Sequence, residues 1–133
     1  MSATDQPRLA RKLAILLWAA RPEQPELCIM PFVYAATAAA MEVEVEMHFT
    51  GPAVRLLVAG QAACIYPSGQ QLKPIYDYMQ DAAQLGVRFL GCSLALHQYV
   101  GPDETKIAEF SGVVGAATFI MRSLDPEWRI LSF

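Results

Sequence analysis

The chain has 133 residues, a formal net charge of −3, an apolar content of 54% and only 17% charged residues. This length predicts a single domain over residues 1–133, because a second hydrophobic core would need more chain. The mild charge and the lack of a sizeable Lys/Arg cluster argue against nucleic acid and against an anionic membrane surface as partners. The high apolar content predicts that part of the surface is buried between subunits.

The N-terminal sequence carries no convincing targeting or membrane signal. Residues 1–10 are polar, and we expect them to form a flexible segment. The apolar run at 13–20 is shorter than the ~20 residues that span a bilayer, and no small-residue cleavage site follows it. We therefore expect a cytoplasmic protein without membrane contacts.

Strands and helices are predicted to alternate along the chain. The continuous apolar run at 12–18 is typical of a central parallel strand covered on both faces. Proline starts and helical spacing predict a helix over the Ala-rich segment 31–41 and another over 73–85. The remaining predicted elements are a short helix at 50–60, strands at 87–90, 110–114 and 128–133, helices from 93 and over 116–124, and a helical turn near 103–108.

The segment 41–49, MEVEVEMHF, alternates strictly between polar and apolar residues. In a strand this pattern places Glu42, Glu44, Glu46 and His48 on one face. We expect an edge or near-edge strand with one polar face, or a strand whose polar face meets another subunit.

This order of elements predicts an α/β fold, a three-layer α/β/α sandwich built on a mostly parallel sheet of about five strands. Functional residues in such sheets gather at the carboxyl ends of the strands. Cys92 follows the third predicted strand there, and the helix N-terminus beside it favours the nucleophilic thiolate. The alternative interpretation is a small buried hydrophobic side chain.

The other candidate residues are placed near Cys92 by the same reasoning. His48 and Thr50 lie at the end of the second strand, Thr50 also as a helix N-cap, and Gly91 removes side-chain bulk beside the sulfur. We count these three as substrate-pocket residues. Cys28, in the loop after the first strand, is a candidate second thiol or, alternatively, a packed core cysteine.

Several other chemistries lack their sequence signals. The three cysteines, Cys28, Cys64 and Cys92, form no CxxC pair, which argues against a disulfide scaffold and a zinc ribbon. His48 and His97 show no short ligand spacing, so no metal site is predicted. The chain has no GxGxxG, Walker or GxSxG motif, so neither a nucleotide cofactor nor a hydrolase is expected.

The landmarks, in their order along the chain, resemble the DsrE/DsrF-like sulfur-relay family over nearly the whole chain. The matching pieces are KLAILLW, PFVYAATAAAMEVEVEMHFTGPAVRLL, LGVRFLGCSLAL and WRILSF. The resemblance implies a three-layer fold of flavodoxin-like topology and assembly into trimers or hexamers. In family members that carry it, a cysteine after the third strand receives sulfur as a persulfide, and Cys92 matches that position.

Two functional hypotheses follow from the sequence. In the first, the protein is a persulfide carrier or sulfurtransferase that uses Cys92 as its nucleophile and exchanges sulfur with a donor or acceptor protein. In the second, it is a non-catalytic oligomeric binding or scaffold protein in which Cys92 is structural.

Overall fold

A parallel sheet forms the centre of the protein, whose computed structural model describes residues 11–67 and 73–133. Its strands are β1 (Lys12–Leu17), β2 (Glu44–Phe49), β3 (Arg88–Cys92), β4 (Phe110–Val114) and β5 (Trp128–Ser132). Their order across the sheet is β4-β3-β2-β1-β5, and every adjacent pair is parallel. The predicted α/β class with a parallel sheet is confirmed. The predicted N-terminal segment 1–10 lies outside the described residues.

Helices lie on both faces of the sheet. The α-helices are α1 (Met30–Ala40), α2 (Ile75–Gln84), α3 (Ser93–Tyr99) and α4 (Ala116–Leu124), and 3-10 turns occur at Pro25–Leu27, Gly51–Leu57 and Ala62–Cys64. The helices α1 and α2 pack against each other on one face, whereas α4 lies on the other face against β1 and β5. The strand β1 therefore has a helix on each side, as its continuous apolar sequence predicts.

The main hydrophobic core lies between the sheet and α1. Phe32 from α1 meets Phe49 and Phe89 with ring centroids 6.0 Å apart in both pairs, and Phe49 and Phe89 are 5.5 Å apart. All three side chains are fully buried. Burying a phenylalanine side chain stabilises a fold by roughly 2–3 kcal/mol, so this cluster fixes the central strands relative to the helix layer.

The strand β2 lies at the centre of the sheet, so the prediction of an edge or near-edge strand is wrong. Its polar face is covered by α4, whose Arg122 contacts the carboxylate of Glu46. The alternating sequence 41–49 is longer than the strand. Met41 and Glu42 lie before β2 in a turn, where Glu42 has a φ of 67°. Of the alternating glutamates, Glu44 stays exposed and Glu46 is buried.

The segment 103–108 does not form the helical turn predicted from its sequence. It pairs instead with the chain that follows β2, through a bridge between Val58 and Lys106 and a hydrogen bond from Ile107 N to Leu57 O of 2.9 Å. Burial of Ile107 holds the segment in this extended path. Among the described residues no helix has the length and apolar character needed to cross a membrane.

Candidate functional site

A cavity of about 240 Å³ opens at the carboxyl end of the sheet. The register pairs Phe49 with Gly91, so the chain that leaves β2 and the end of β3 meet at this edge. Three polar side chains border the cavity, His48, Thr50 and Cys92, and the rest of its wall is Gly115 and apolar side chains from β1, β2, β4 and α4. The structure thus brings together three of the predicted site residues.

Cys92 is the last residue of β3, and its thiol is only partly buried. Burial raises the pKa of this thiol, but hydrogen bonds from the Ala95 backbone, the Thr50 side chain and the Leu94 backbone outweigh it and leave the pKa below its usual value of 9.0. The two backbone donors belong to the first turn of α3, whose N–H groups have no partner within the helix. The environment of Cys92 therefore favours the thiolate.

The Thr50 side chain interacts with the Cys92 thiol and not with the helix that follows it. Thr50 occupies the predicted N-cap position before the 3-10 helix Gly51–Leu57, but its side chain makes no capping hydrogen bond to that helix. Its hydroxyl is instead a hydrogen-bond partner of Cys92. A hydroxyl can donate to a thiolate in this arrangement, which lowers the cost of ionising the sulfur.

His48 is only 4% exposed and borders the same cavity. Its Nε2 lies 3.0 Å from Glu46 Oε1, and its ring meets Phe119 edge to face at 5.3 Å between centroids. Burial lowers the pKa of His48 and outweighs the contact with Glu46, which acts in the opposite direction. His48 is therefore a neutral imidazole at neutral pH, with its Nε2–H donated to the carboxylate.

Glu46 is a buried carboxylate at the centre of an ion-pair network, with 1% of its surface exposed. Arg122 donates from Nε to Oε1 at 3.1 Å and from a terminal nitrogen to Oε2 at 3.2 Å, and Arg88 donates to Oε2 at 3.3 Å. Burial raises the pKa of Glu46, but the hydrogen bonds from Arg122 and His48 bring it below its usual value. Glu46 is thus ionised and fully paired.

The alternating pattern of 41–49 predicts Glu46 on a polar strand face, but it does not by itself predict the contact with His48. Two features of the sequence point to the contacts of Glu46. The i, i+2 spacing of Glu46 and His48 puts both side chains on one face of a strand. In addition, Arg122 is the single charged residue of α4, AATFIMRSL. A lone arginine in an otherwise apolar helix indicates a carboxylate partner within reach.

Cys28 lies apart from this cavity, between the 3-10 turn Pro25–Leu27 and α1. Its thiol is buried and donates weakly to the carbonyl oxygens of Arg21 at 3.4 Å and Gln24 at 3.5 Å. Burial raises the pKa of Cys28 to about 11. Its surroundings are those of a packed core cysteine, the alternative that the sequence left open, and its role as a second thiol stays a prediction. Cys64 is exposed.

Gly91 borders the core instead of the cavity. Side chains alternate along β3, so Gly91 and Cys92 face opposite sides of the sheet. A Cβ at Gly91 would lie 2.9 Å from Leu96 Cδ1 and 3.2 Å from Phe110 Cε1. The absence of a side chain therefore allows α3 and β4 to pack closely around β3, which is a different role from the predicted one beside the sulfur.

The described residues, 11–67 and 73–133, hold no group of three or more His, Cys, Asp or Glu side chains arranged to bind a metal ion. His97 is exposed on α3 and lies outside the cavity wall. The cavity therefore offers a thiol, a hydroxyl and an imidazole as its functional groups.

Comparisons with known proteins give the fold but no function. No family model and no curated protein matches the chain. The ychN protein from E. coli matches with a TM-score of 0.71 and 12% identity over 94% of this chain and 100% of its own. Two proteins of unknown function also match. MTH1491 from Methanobacterium thermoautotrophicum has a TM-score of 0.63 and 17% identity over 92% of this chain and 98% of its own. BT1422 from Bacteroides thetaiotaomicron has a TM-score of 0.61 and 15% identity over 92% of this chain and 95% of its own.

Proposed function

We propose that the protein is a sulfur carrier in which the Cys92 thiolate accepts a sulfur atom as a persulfide. The observation that carries the proposal is the partly exposed Cys92 thiol at the wall of a cavity and at the start of α3, in surroundings that lower its pKa. The resemblance of the sequence to the DsrE/DsrF-like sulfur-relay family agrees with it. The thiolate is the nucleophilic form of cysteine, and sulfur exchange requires it.

The transfer is a nucleophilic displacement at sulfur. The Cys92 thiolate attacks the outer sulfur of a donor R–S–SH and forms a new S–S bond. The S–S bond of the donor breaks, and its electron pair leaves with the donor as R–S⁻. The proton of the outer sulfur stays on the transferred atom, so Cys92 becomes Cys92–S–SH, and no external oxidant or reductant takes part.

Self-association belongs to the same proposal. The outer surface of α4 exposes Ile120, Met121 and Leu124, which are 53%, 65% and 78% accessible. A contiguous apolar surface of this kind is commonly covered by another subunit. The family resemblance favours a trimer or hexamer, and a donor or acceptor protein would approach the cavity of such an assembly.

A second candidate function is that of a non-catalytic oligomeric scaffold. The same exposed apolar side chains of α4 favour it, because they predict assembly without requiring any chemistry at Cys92. The two candidates differ in the reactivity of one thiol in the folded protein. A carrier thiol reacts as an accessible, acidic group, whereas a structural thiol reacts only on unfolding.

Mass spectrometry after exposure to cysteine persulfide tests the proposal. We expect the native protein to gain the mass of one sulfur atom on the tryptic peptide of Cys92. The Cys92→Ser variant should lose this gain, and Cys64→Ser is the matched control because Cys64 is an exposed thiol outside the cavity. Sulfur that appears equally on Cys64, or only after unfolding, would favour the scaffold.

Alkylation with iodoacetamide across a range of pH provides the second measurement. In the folded protein Cys92 should react at a lower pH than an ordinary thiol, because its pKa is lowered. Cys28 should react only on unfolding, because burial raises its pKa to about 11. If the Cys92→Ser protein retains the low-pH reactivity, the assignment of Cys92 is wrong.

A further inference from the structure

The hydrogen bond between His48 and Glu46 decides which ring nitrogen of His48 carries the proton. A carboxylate accepts and does not donate, so His48 Nε2, at 3.0 Å from Glu46 Oε1, must be the N–H. Glu46 is held in this ionised form by Arg122 and Arg88. In a neutral imidazole the other nitrogen, Nδ1, then carries a lone pair and accepts hydrogen bonds.

This Nδ1 is available to a molecule in the cavity. It has no hydrogen-bond partner in the described part of the chain. Within the described ranges, Arg21 Nε is the only fully buried side-chain polar atom without a hydrogen-bond partner. His48 Nδ1, which also has no partner, therefore keeps some accessible surface. His48 is 96% shielded from solvent, and it borders the Cys92 cavity.

The rest of the cavity gives this acceptor its selectivity. Thr50 is occupied as a partner of Cys92, and the other side chains of the wall are apolar, among them Leu16, Phe119 and Ile120. A polar group in an apolar cavity discriminates strongly, because a ligand that fails to pair with it leaves it unsatisfied. An apolar wall also favours the neutral, protonated form of an acidic ligand.

We propose that His48 Nδ1 accepts a hydrogen bond from the terminal S–H of the sulfur donor, so that the site selects small persulfides over disulfides. The inference rests on the proposed function. A persulfide R–S–SH carries an S–H donor on the sulfur that is transferred, whereas a disulfide R–S–S–R has none. The hydrogen bond holds the outer sulfur toward the Cys92 thiolate, and the proton remains on that sulfur when Cys92 becomes Cys92–S–SH. In this arrangement Glu46 is a positioning residue that acts through His48.

Two substitutions at His48 separate this role from a structural one. In His48→Gln the amide nitrogen reaches nearly the position of Nε2, so the hydrogen bond to Glu46 is retained and the acceptor in the cavity is lost. In His48→Asn the amide lies near the position of Nδ1, so its oxygen can restore the acceptor. His97→Gln is the matched control, since His97 is an exposed histidine outside the cavity wall.

The experiment compares two reactions of Cys92: sulfur loading from cysteine persulfide and thiol–disulfide exchange with cystine. We expect His48→Gln to slow loading about tenfold, the order of one lost hydrogen bond, and to leave exchange with cystine within about twofold of its original rate. His48→Asn should recover part of the loading rate, and His97→Gln should change neither reaction. The alkylation profile of Cys92 should be the same in all three variants.

The outcomes distinguish the inference from the proposed function. If the native protein does not load sulfur on Cys92, the proposed function fails and the inference fails with it. If the native protein loads sulfur but His48→Gln slows both reactions equally, or slows neither, only the inference is overturned.

The native protein supplies a further test that does not depend on the folding of any variant. Protonation of His48 turns Nδ1 from an acceptor into a donor, so the preference for persulfide over cystine should fall as the pH drops through the pKa of His48. The charged groups that face His48 are Glu46, Arg122 and Arg88, with Cys92 across the cavity. A preference that stays constant from pH 8 to the lower limit of folding would contradict the inference.

Discussion

Glu46 and His48 lie two residues apart on one face of β2, and Glu46 Oε1 is 3.0 Å from His48 Nε2. The pair links an ion-pair network beneath α4 to the wall of the Cys92 cavity. Glu46 stabilises the packing of α4 on the sheet through Arg122, and His48 borders the cavity with its imidazole ring.

The first prediction concerns the Thr50 hydroxyl. Thr50→Val keeps the shape of the side chain and removes its hydrogen bond to Cys92. We expect the pKa of Cys92 to rise by roughly half a unit to one unit, since a hydrogen bond is worth about 0.5–1.5 kcal/mol and one pKa unit is about 1.4 kcal/mol. The measurement is the alkylation rate of Cys92 against pH.

Thr37→Val is the matched control for Thr50→Val, because the Thr37 hydroxyl binds Val33 O within α1 and lies away from the cavity. It should leave the pKa of Cys92 unchanged. A Thr50→Val protein with an unaltered Cys92 profile would show that the backbone donors of Ala95 and Leu94 suffice.

The second prediction concerns the buried carboxylate. Glu46→Gln removes the charge that Arg122 and Arg88 share, and we expect the free energy of unfolding to fall by roughly 3 kcal/mol, the lower end for breaking a buried ion pair. The lower end applies because the side chain of Arg122 is 30% exposed and that of Arg88 51%, so water can solvate both guanidinium groups. Urea unfolding measures the loss.

Glu44→Gln provides the comparison on the same strand. Glu44 is an exposed residue whose carboxylate lies 4.0 Å from Lys12 Nζ, and such surface pairs contribute at most about 1 kcal/mol. Equal losses from the two substitutions would mean that the network around Glu46 contributes little to stability.

The third prediction is the dependence of stability on pH. The pKa of His48 is lower in the folded protein than its ordinary value of 6.5, so the unfolded chain binds this proton more tightly. Stability is therefore complete above pH 6.5 and falls as the pH drops below it. Glu46, whose pKa is lowered from 4.5, adds stability that is present above pH 4.5 and is lost as the pH falls through its folded value.

Urea unfolding at a series of pH values measures this dependence. We expect His48→Gln to flatten the part of the profile below about pH 6.5 that comes from His48, because the substituted chain has no proton to bind at this position. His97→Gln should keep the profile of the native protein. A native profile that is flat below pH 6.5 would contradict the lowered pKa of His48.

The fourth prediction concerns assembly. Leu124 is 78% exposed on α4, and Leu124→Glu places a charge in the apolar surface that we propose to be covered by another subunit. We expect light scattering to give a multiple of the 14.6 kDa chain mass for the native protein and a smaller species for the variant. Leu85→Glu is the control, since Leu85 is 50% exposed just after α2, on the other face of the sheet. A native monomer at micromolar concentration would overturn the proposed assembly.

Local sequence patterns determined most of the elements of the fold. The helix α4 and the strand β4 have the predicted bounds, because apolar runs and Gly or Asp-Pro boundaries are properties of neighbouring residues. The position of Cys92 at the carboxyl end of β3 was also predicted, since the carboxyl ends of parallel strands lie on one edge of the sheet. In the structure Cys92 ends the strand itself instead of following it.

The tertiary structure alone decided what covers the polar face of β2 and which groups surround the thiol. Alternation along 41–49 reports that one face is polar, but it does not report whether water, another subunit or a helix lies over it. The answer depends on Arg122, 76 residues away from Glu46, and on the crossover that brings α4 over the sheet. The pairing of Thr50 with Cys92 depends in the same way on the register of β2 and β3, which is set by packing between distant segments.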